Sequence, residues 1–319
     1  MRPLEFGREA DTVRLGSPPS RWEDWRSMGS SAFPSWWGSF QIPEGSCGRW
    51  EIGPFFMWIQ RNAEDWTVMR QRHKDPFRDH WDVEIPTAPP CPASGKDEAP
   101  ASPADWAGKV PHDEVGASPP DPPQRYAALE GSGTVHITPA HADRPVVITP
   151  EQSFFLPPKR TVHLFVSLPL WLQFRDEPDG VPMIDDALFR PSDTWHGPNT
   201  QVGQVCYASR TRAAFAPIGR LPHRIVTPFE VRNRSEKDVK VERIKLPTPH
   251  LSVLVDEQGG LWTEAVIFEQ PPGVDPPDVR IEPGTTNGSR KLEVLSGPRT
   301  RMEKKFVWHA FGDFFGNGW

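Results

Sequence analysis

The chain has 319 residues, enough for one large domain or two of ordinary size. A net charge of −6 excludes the basic surface that nucleic-acid binding needs, and 39 prolines with 25 glycines argue against a helical protein. The three cysteines, Cys47, Cys91 and Cys206, stand far apart with no C-x-x-C pair, which excludes a disulfide framework and a thiolate zinc site and suits a reducing compartment.

The first 24 residues are charged and lack the apolar core of a secretory signal, and no run of 18 apolar residues occurs anywhere. The expectation is a cytoplasmic protein that does not span a membrane. Residues 1–34 read as an irregular arm with one short helix near residues 22–28. Residues 35–86 read as a β-meander. Residues 37–42 alternate, 43–48 make a turn, 49–61 form one long β-type run, and Asn62-Ala63-Glu64-Asp65 turns into a strand at 66–69. Residues 82–85 add a short strand.

Residues 87–125 change composition sharply. Proline, alanine, serine and acids crowd this stretch, and Trp106 is almost its only large apolar side chain. Such a segment buries too little apolar area to offset its conformational entropy, so it reads as a disordered, proline-rich insert.

Residues 126–300 read as a β-sandwich, with strands at 134–138, 144–149 and 161–174. The last is the most apolar run, and Pro169 inside it predicts an edge strand, a bulge or two strands in sequence. Between residues 191 and 264 short β-type runs alternate with turn chemistry at nearly every tenth residue, the pattern of an antiparallel sheet closing on itself. Residues 183–189 read as linking structure and the segment from Asp193 as a turn. Strands follow at 251–255, 265–269, 279–282 and 292–295, the first two separated by the turn Asp256-Glu257-Gln258-Gly259-Gly260. Residues 301–319 differ from all of this: Phe306, Val307, Ala310, Phe311, Phe314 and Phe315 recur at helical spacing, and Gly316 and Gly318 end the run. The fold class expected is mostly β: an antiparallel β-sandwich of one or two packed β units with a C-terminal amphipathic helix.

Three site readings compete. Asp193, Thr194, His196 and Cys206 bring together an acid, a hydroxyl, an imidazole and a thiol, the ingredients of a nucleophilic enzyme; ordinary packing and turn bonding explain them as well. Fourteen Trp against two Tyr suggest a second reading. Trp36, Trp37 and Trp58 on a sheet could stack on sugar rings, or simply fill a wide core. The third reading is a protein-binding surface made by Trp195 and by Phe306, Phe311, Phe314 and Phe315. The ten histidines show no ligand spacing, and no nucleotide-binding or serine-hydrolase motif occurs. Neither a metal nor a cofactor is called for.

Thr194-Trp195-His196-Gly197-Pro198, Cys206-Tyr207-Ala208, residues 228–233, Leu246-Pro247 and Leu261-Trp262-Thr263 together resemble the prokaryotic domain-of-unknown-function family numbered 432. The resemblance covers the meander and residues 161 to about 315. It implies a cytoplasmic protein with no assigned activity and no established catalytic residues, and it links such proteins to small-conductance mechanosensitive channels. The function expected is therefore a non-enzymatic binding or accessory module for another protein, a membrane channel on its cytoplasmic side being the partner that the resemblance implies.

Overall fold

A computed structural model of the chain describes residues 36–85, 117–128, 133–197, 204–215, 220–273, 278–282, 286–287 and 290–301. The fold is mostly β, and five sheets carry it. The expected N-terminal arm, most of the proline-rich insert and the expected C-terminal helix with its phenylalanines lie outside the described residues.

The first sheet is antiparallel, in the order Trp81–Glu84, Cys47–Ile52, Phe55–Arg61, Asp65–Arg72, Gln124–Ala127. The run expected at 49–61 is two strands, because Gly53 and Pro54 turn the chain. Gly53 has φ +57°, and a Cβ there would lie 2.1 Å from the Nδ1 of His223. Only glycine accepts that combination of backbone angle and contact. Phe55, Met57 and Ile59 face the main core while Phe56 and Trp58 pack on the other side with Met69, the two-residue period of a strand with apolar residues on both faces.

The end of the proline-rich stretch is not free chain. Ser118 and Asp121 donate their amides to the carbonyls of Arg72 and Arg70, and Gln124–Ala127 pairs along Asp65–Arg72. Arg125 reaches back to Asp65 and holds its carboxyl below the usual range. Ladder hydrogen bonds and one ion pair secure this edge strand, so its composition carried no apolar signal.

Strand Gly38–Gln41 leaves the expected meander and pairs with Thr134–Ala140, from beyond the insert. Trp171–Arg175 and Ile184–Ala187 complete this second sheet, so residues 183–189, read as linking structure, contain a strand. The apolar run at 161–174 divides at Pro169. Thr161–Pro169 joins the third sheet, and Trp171–Arg175 joins the second.

The third sheet has eight strands, centred on Arg224–Asn233. Thr161–Pro169 runs antiparallel along one edge of that strand, while Leu261–Trp262 and Ala265–Gln270 run parallel along the other. A fourth sheet orders Ser192–His196, Gln204–Ala208, Val146–Ile148 and Ile244–Leu246, with a parallel pair in its middle. Phe154–Leu156 and Val239–Val241 form the fifth. The pairing is thus largely but not wholly antiparallel. Parallel neighbours need long crossovers, and the alternation of each strand is the same in both arrangements.

One contiguous hydrophobic cluster draws on all five sheets, with Trp50, Phe174, Val231, Leu246 and Val241 among its members. It joins strands from both sides of residues 86–116. Trp66 meets Phe174 edge to face at 6.2 Å, and Phe229 meets Phe268 in the same way at 6.2 Å. Much of the tryptophan excess is core, since Trp36, Trp50, Trp66 and Trp262 are among the largest fully buried side chains.

Asp256 organises the turn after Val253–Asp256. Its Oδ1 accepts the amides of Gln258 and Gly260 at 3.0 and 2.7 Å, and its Oδ2 accepts Trp262 Nε1 and Arg220 Nη2, both at 2.9 Å. Gly259 supplies the positive φ, +74°, that the turn requires. Asp256→Ala removes one acceptor from four donors in a buried setting and is expected to cost about 3 kcal/mol. Urea unfolding checks this; a change near zero contradicts the role.

Candidate functional site

The segment expected to turn at Asp193 is instead the strand Ser192–His196, and the chain bends at Gly197, whose φ is +105°. Its antiparallel register sets Thr194 opposite Cys206 and His196 opposite Gln204. Alternation then sorts the side chains. Thr194, His196, Gln204 and Cys206 share one face, and Asp193, Trp195, Val205 and Tyr207 share the other.

On the second of these faces Tyr207 meets the core, while Asp193, Trp195 and Val205 are exposed. Tyr207 packs on Trp171 with ring centroids 5.5 Å apart, and its hydroxyl donates to Asp143 at 2.9 Å. The guanidinium groups of Arg144 and Arg190 lie 5.4 and 5.7 Å from the Tyr207 ring, and both reach the carboxylate of Asp193. Asp193 is therefore a counter-ion to surface arginines and does not face His196 or Cys206. Trp195 is half exposed beside Val205, and its carbonyl accepts from Arg243.

The opposite face holds a residue that the sequence reading passed over. Lys245, on Ile244–Leu246, is buried, and its Nζ lies 3.4 Å from Gln204 Oε1. The alternation of Ile244–Leu246 was a usable signal, since a lysine between two core aliphatics must face away from the core. Burial lowers the lysine pKa, and the nearby Cys206 opposes that. His196 is pushed down to about 4, first by burial and then by Lys245 and Arg243. Cys206 is fully buried, its Sγ 3.6 Å from the carbonyl of Gln204, and burial pushes its thiol up despite the same two cations. At neutral pH this face carries a neutral imidazole and a protonated thiol, and no hydrogen bond joins the two.

The aromatic candidates separate by burial. Trp36 and Trp58 are buried, Trp37 is half-buried, and Trp36 Nε1 donates to the carbonyl of Pro222 at 2.8 Å. Burial leaves Trp36 and Trp58 no open ring face on which a sugar could stack, and Trp37 stands edge to face with Trp36 at 5.4 Å. Phe306, Phe311, Phe314 and Phe315 lie outside the described residues. Among the described residues no group of three or more His, Cys, Asp or Glu is arranged to hold a metal ion.

A second neighbourhood went unnoticed in the sequence. Phe154 and Phe215, with ring centroids 5.9 Å apart, border a cavity of about 340 Å³ that Pro150, Glu151, Gln152, Ser153 and Ala213 also line. Phe215 is 63% exposed. No direct signal marked it: in the pair Phe154-Phe155 the ring that leaves the core is Phe155, on the strand's other face, whereas Phe154 packs on the core.

Two measurements test this chemistry. Cys206 is expected to react with a thiol reagent only after unfolding; rapid labelling of the native protein at neutral pH would reveal an activated thiolate. His141 and His223, both buried, are likewise held near 4 by burial. Unfolded histidines protonate near pH 6.5, so acid favours the unfolded chain: stability is complete above that value and falls as the pH drops towards 4. Denaturant unfolding at pH 7.5 and pH 5 should differ by on the order of 2 kcal/mol per histidine; equal stabilities contradict the burial of these rings.

No described helix is long and apolar enough to cross a membrane. No curated protein and no solved structure matches the chain. The model of one family, described as Protein of unknown function (DUF432), matches residues 36–315 and so takes in every sheet described above. The chain belongs to the DUF432 family.

Proposed function

We propose that the protein is a non-enzymatic, cytoplasmic binding module that takes an apolar side chain of a protein partner against Phe154 and Phe215. The observation that carries this reading is the exposed Phe215 ring beside an open cavity of about 340 Å³, large enough for one or two side chains. An aromatic left this accessible at a concavity is what hot-spot recognition uses. Glu151 lies in the same lining and Arg212 donates to the Pro150 carbonyl at 3.5 Å, so the rim carries both signs and the apolar anchor dominates the recognition. The family resemblance implies that this partner is a membrane channel, met on its cytoplasmic side.

The enzyme reading draws support from the shared face of Thr194, His196 and Cys206, but the protonated thiol and the separation of Asp193 weigh against it. The glycan reading loses its platform with the burial of Trp36 and Trp58.

Phe215→Ser should leave the melting temperature unchanged, because the ring is exposed. Tagged wild-type and variant proteins are each incubated with native lysate, and captured proteins are identified by mass spectrometry. The reading requires a partner held by the wild type and lost from the variant. Identical capture by both proteins would overturn it.

A further inference from the structure

Arg224 opens the longest strand of the third sheet and is only 5% exposed. Burying a guanidinium costs several kcal/mol unless a counter-charge offsets it. Four partly buried arginines follow that rule: Arg70 meets Asp186, Arg78 meets Glu51, Arg220 meets Asp256 and Arg299 meets Asp185. Arg175, without a direct ion pair, lies in the field of Asp185 and Asp179. Arg224 has neither.

Its protein partners are all neutral. Nε donates to Ser167 Oγ at 2.9 Å, and Nη2 donates to the Ser167 carbonyl at 2.6 Å and to Thr211 Oγ1 at 3.2 Å. Those contacts use the Nε hydrogen and both Nη2 hydrogens. Nη1 keeps both of its own, with no hydrogen-bond acceptor for them among the described residues. Over the guanidinium, 5.7 Å from Cζ, stands the ring of Phe77, which is 47% exposed. The neighbouring His223 is fixed by its Nε2 contact to the Pro76 carbonyl at 2.9 Å. Burial alone lowers the arginine to about 10 and no acid acts on it; it is charged at neutral pH all the same.

We propose that Arg224 and Phe77 form a binding site for a small organic carboxylate, with one carboxylate oxygen on Nη1 and the apolar body of the acid against the Phe77 ring. The three hydrogen bonds to Ser167 and Thr211 hold the guanidinium rigid, so its orientation is set before the ligand arrives. A carboxylate supplies the missing counter-charge through a charge-assisted hydrogen bond. The exposed ring selects an acid with an apolar body over a bare inorganic anion. This site does not depend on the Phe154–Phe215 cavity.

The test uses the full chain at constant ionic strength, with acetate, benzoate and inorganic phosphate as probes against chloride. Benzoate at about ten times its dissociation constant should raise the melting temperature by about 3 °C. Acetate should act more weakly and phosphate not at all. The Nε–H resonance of Arg224 should shift with benzoate. Arg224→Met should abolish the benzoate response, whether or not the variant is itself less stable. Phe77→Ala, which alters an exposed side chain, keeps the fold independent of that result; it should remove the preference for benzoate over acetate. No thermal or spectral response to benzoate would overturn the site. So would an equal response to phosphate, or a benzoate response unchanged in either variant.

Discussion

Strand Arg224–Asn233 has two long edges of backbone donors and acceptors to satisfy within a buried sheet, and the third sheet is built around meeting that demand. Thr161–Pro169 covers one edge through nine residue pairs. The other edge takes two partners in succession, and the partner register moves by one residue between them: Val226 faces Trp262, a difference of 36, whereas Phe229 faces Val266, a difference of 37. Pro228 lies between these pairs. A proline has no N–H to offer, so it sits where the ladder can skip a bond. Opposite it, Phe165 exchanges its backbone bonds with Ala214 at 2.8 and 2.9 Å. One imino acid thereby decides where two strands divide an edge and where the segment carrying Thr211 and Phe215 attaches.

Local punctuation was legible in the residues and long-range pairing was not. Pro169 announced a break, and the chain does leave one sheet for another there. Gly53-Pro54 carried the same kind of signal inside an apolar run too uniform to draw attention to it. Alternation could not reveal that Gly38–Gln41 would pair beyond the insert, because a strand looks the same whichever partner it finds. The polar sequence of Ser192–His196 imitated a turn because its outward face carries Asp193 and half-exposed Trp195. The return of residues 117–127 to a sheet edge rests on main-chain bonds, which no side-chain pattern encodes.

The candidate site follows the same division. The residues named from sequence, Thr194, His196 and Cys206, are neighbours in space, and register alone brings them together. What composition could not supply was their environment. Burial raises the Cys206 thiol despite Lys245 and Arg243, and a thiol kept protonated is what sets this face against nucleophilic chemistry. Arg224 is the converse case: unremarkable in sequence, it stands out only because, among the described residues, its hydrogen-bond partners are all neutral.

The first sheet begins and ends on strands separated by the whole proline-rich stretch. Trp81–Glu84 forms one edge and Gln124–Ala127 the other, with three strands between. Four inter-strand steps of ~4.8 Å set the anchors roughly 19 Å apart, a gap that about six extended residues can bridge. Any longer connection closes at an entropic cost that rises only with the logarithm of its length. The sheet is thus nearly indifferent to how much chain joins its two edges. Sequence can be gained or lost there over evolutionary time without disturbing either anchor, which makes this crossing the natural place for relatives of different length to diverge.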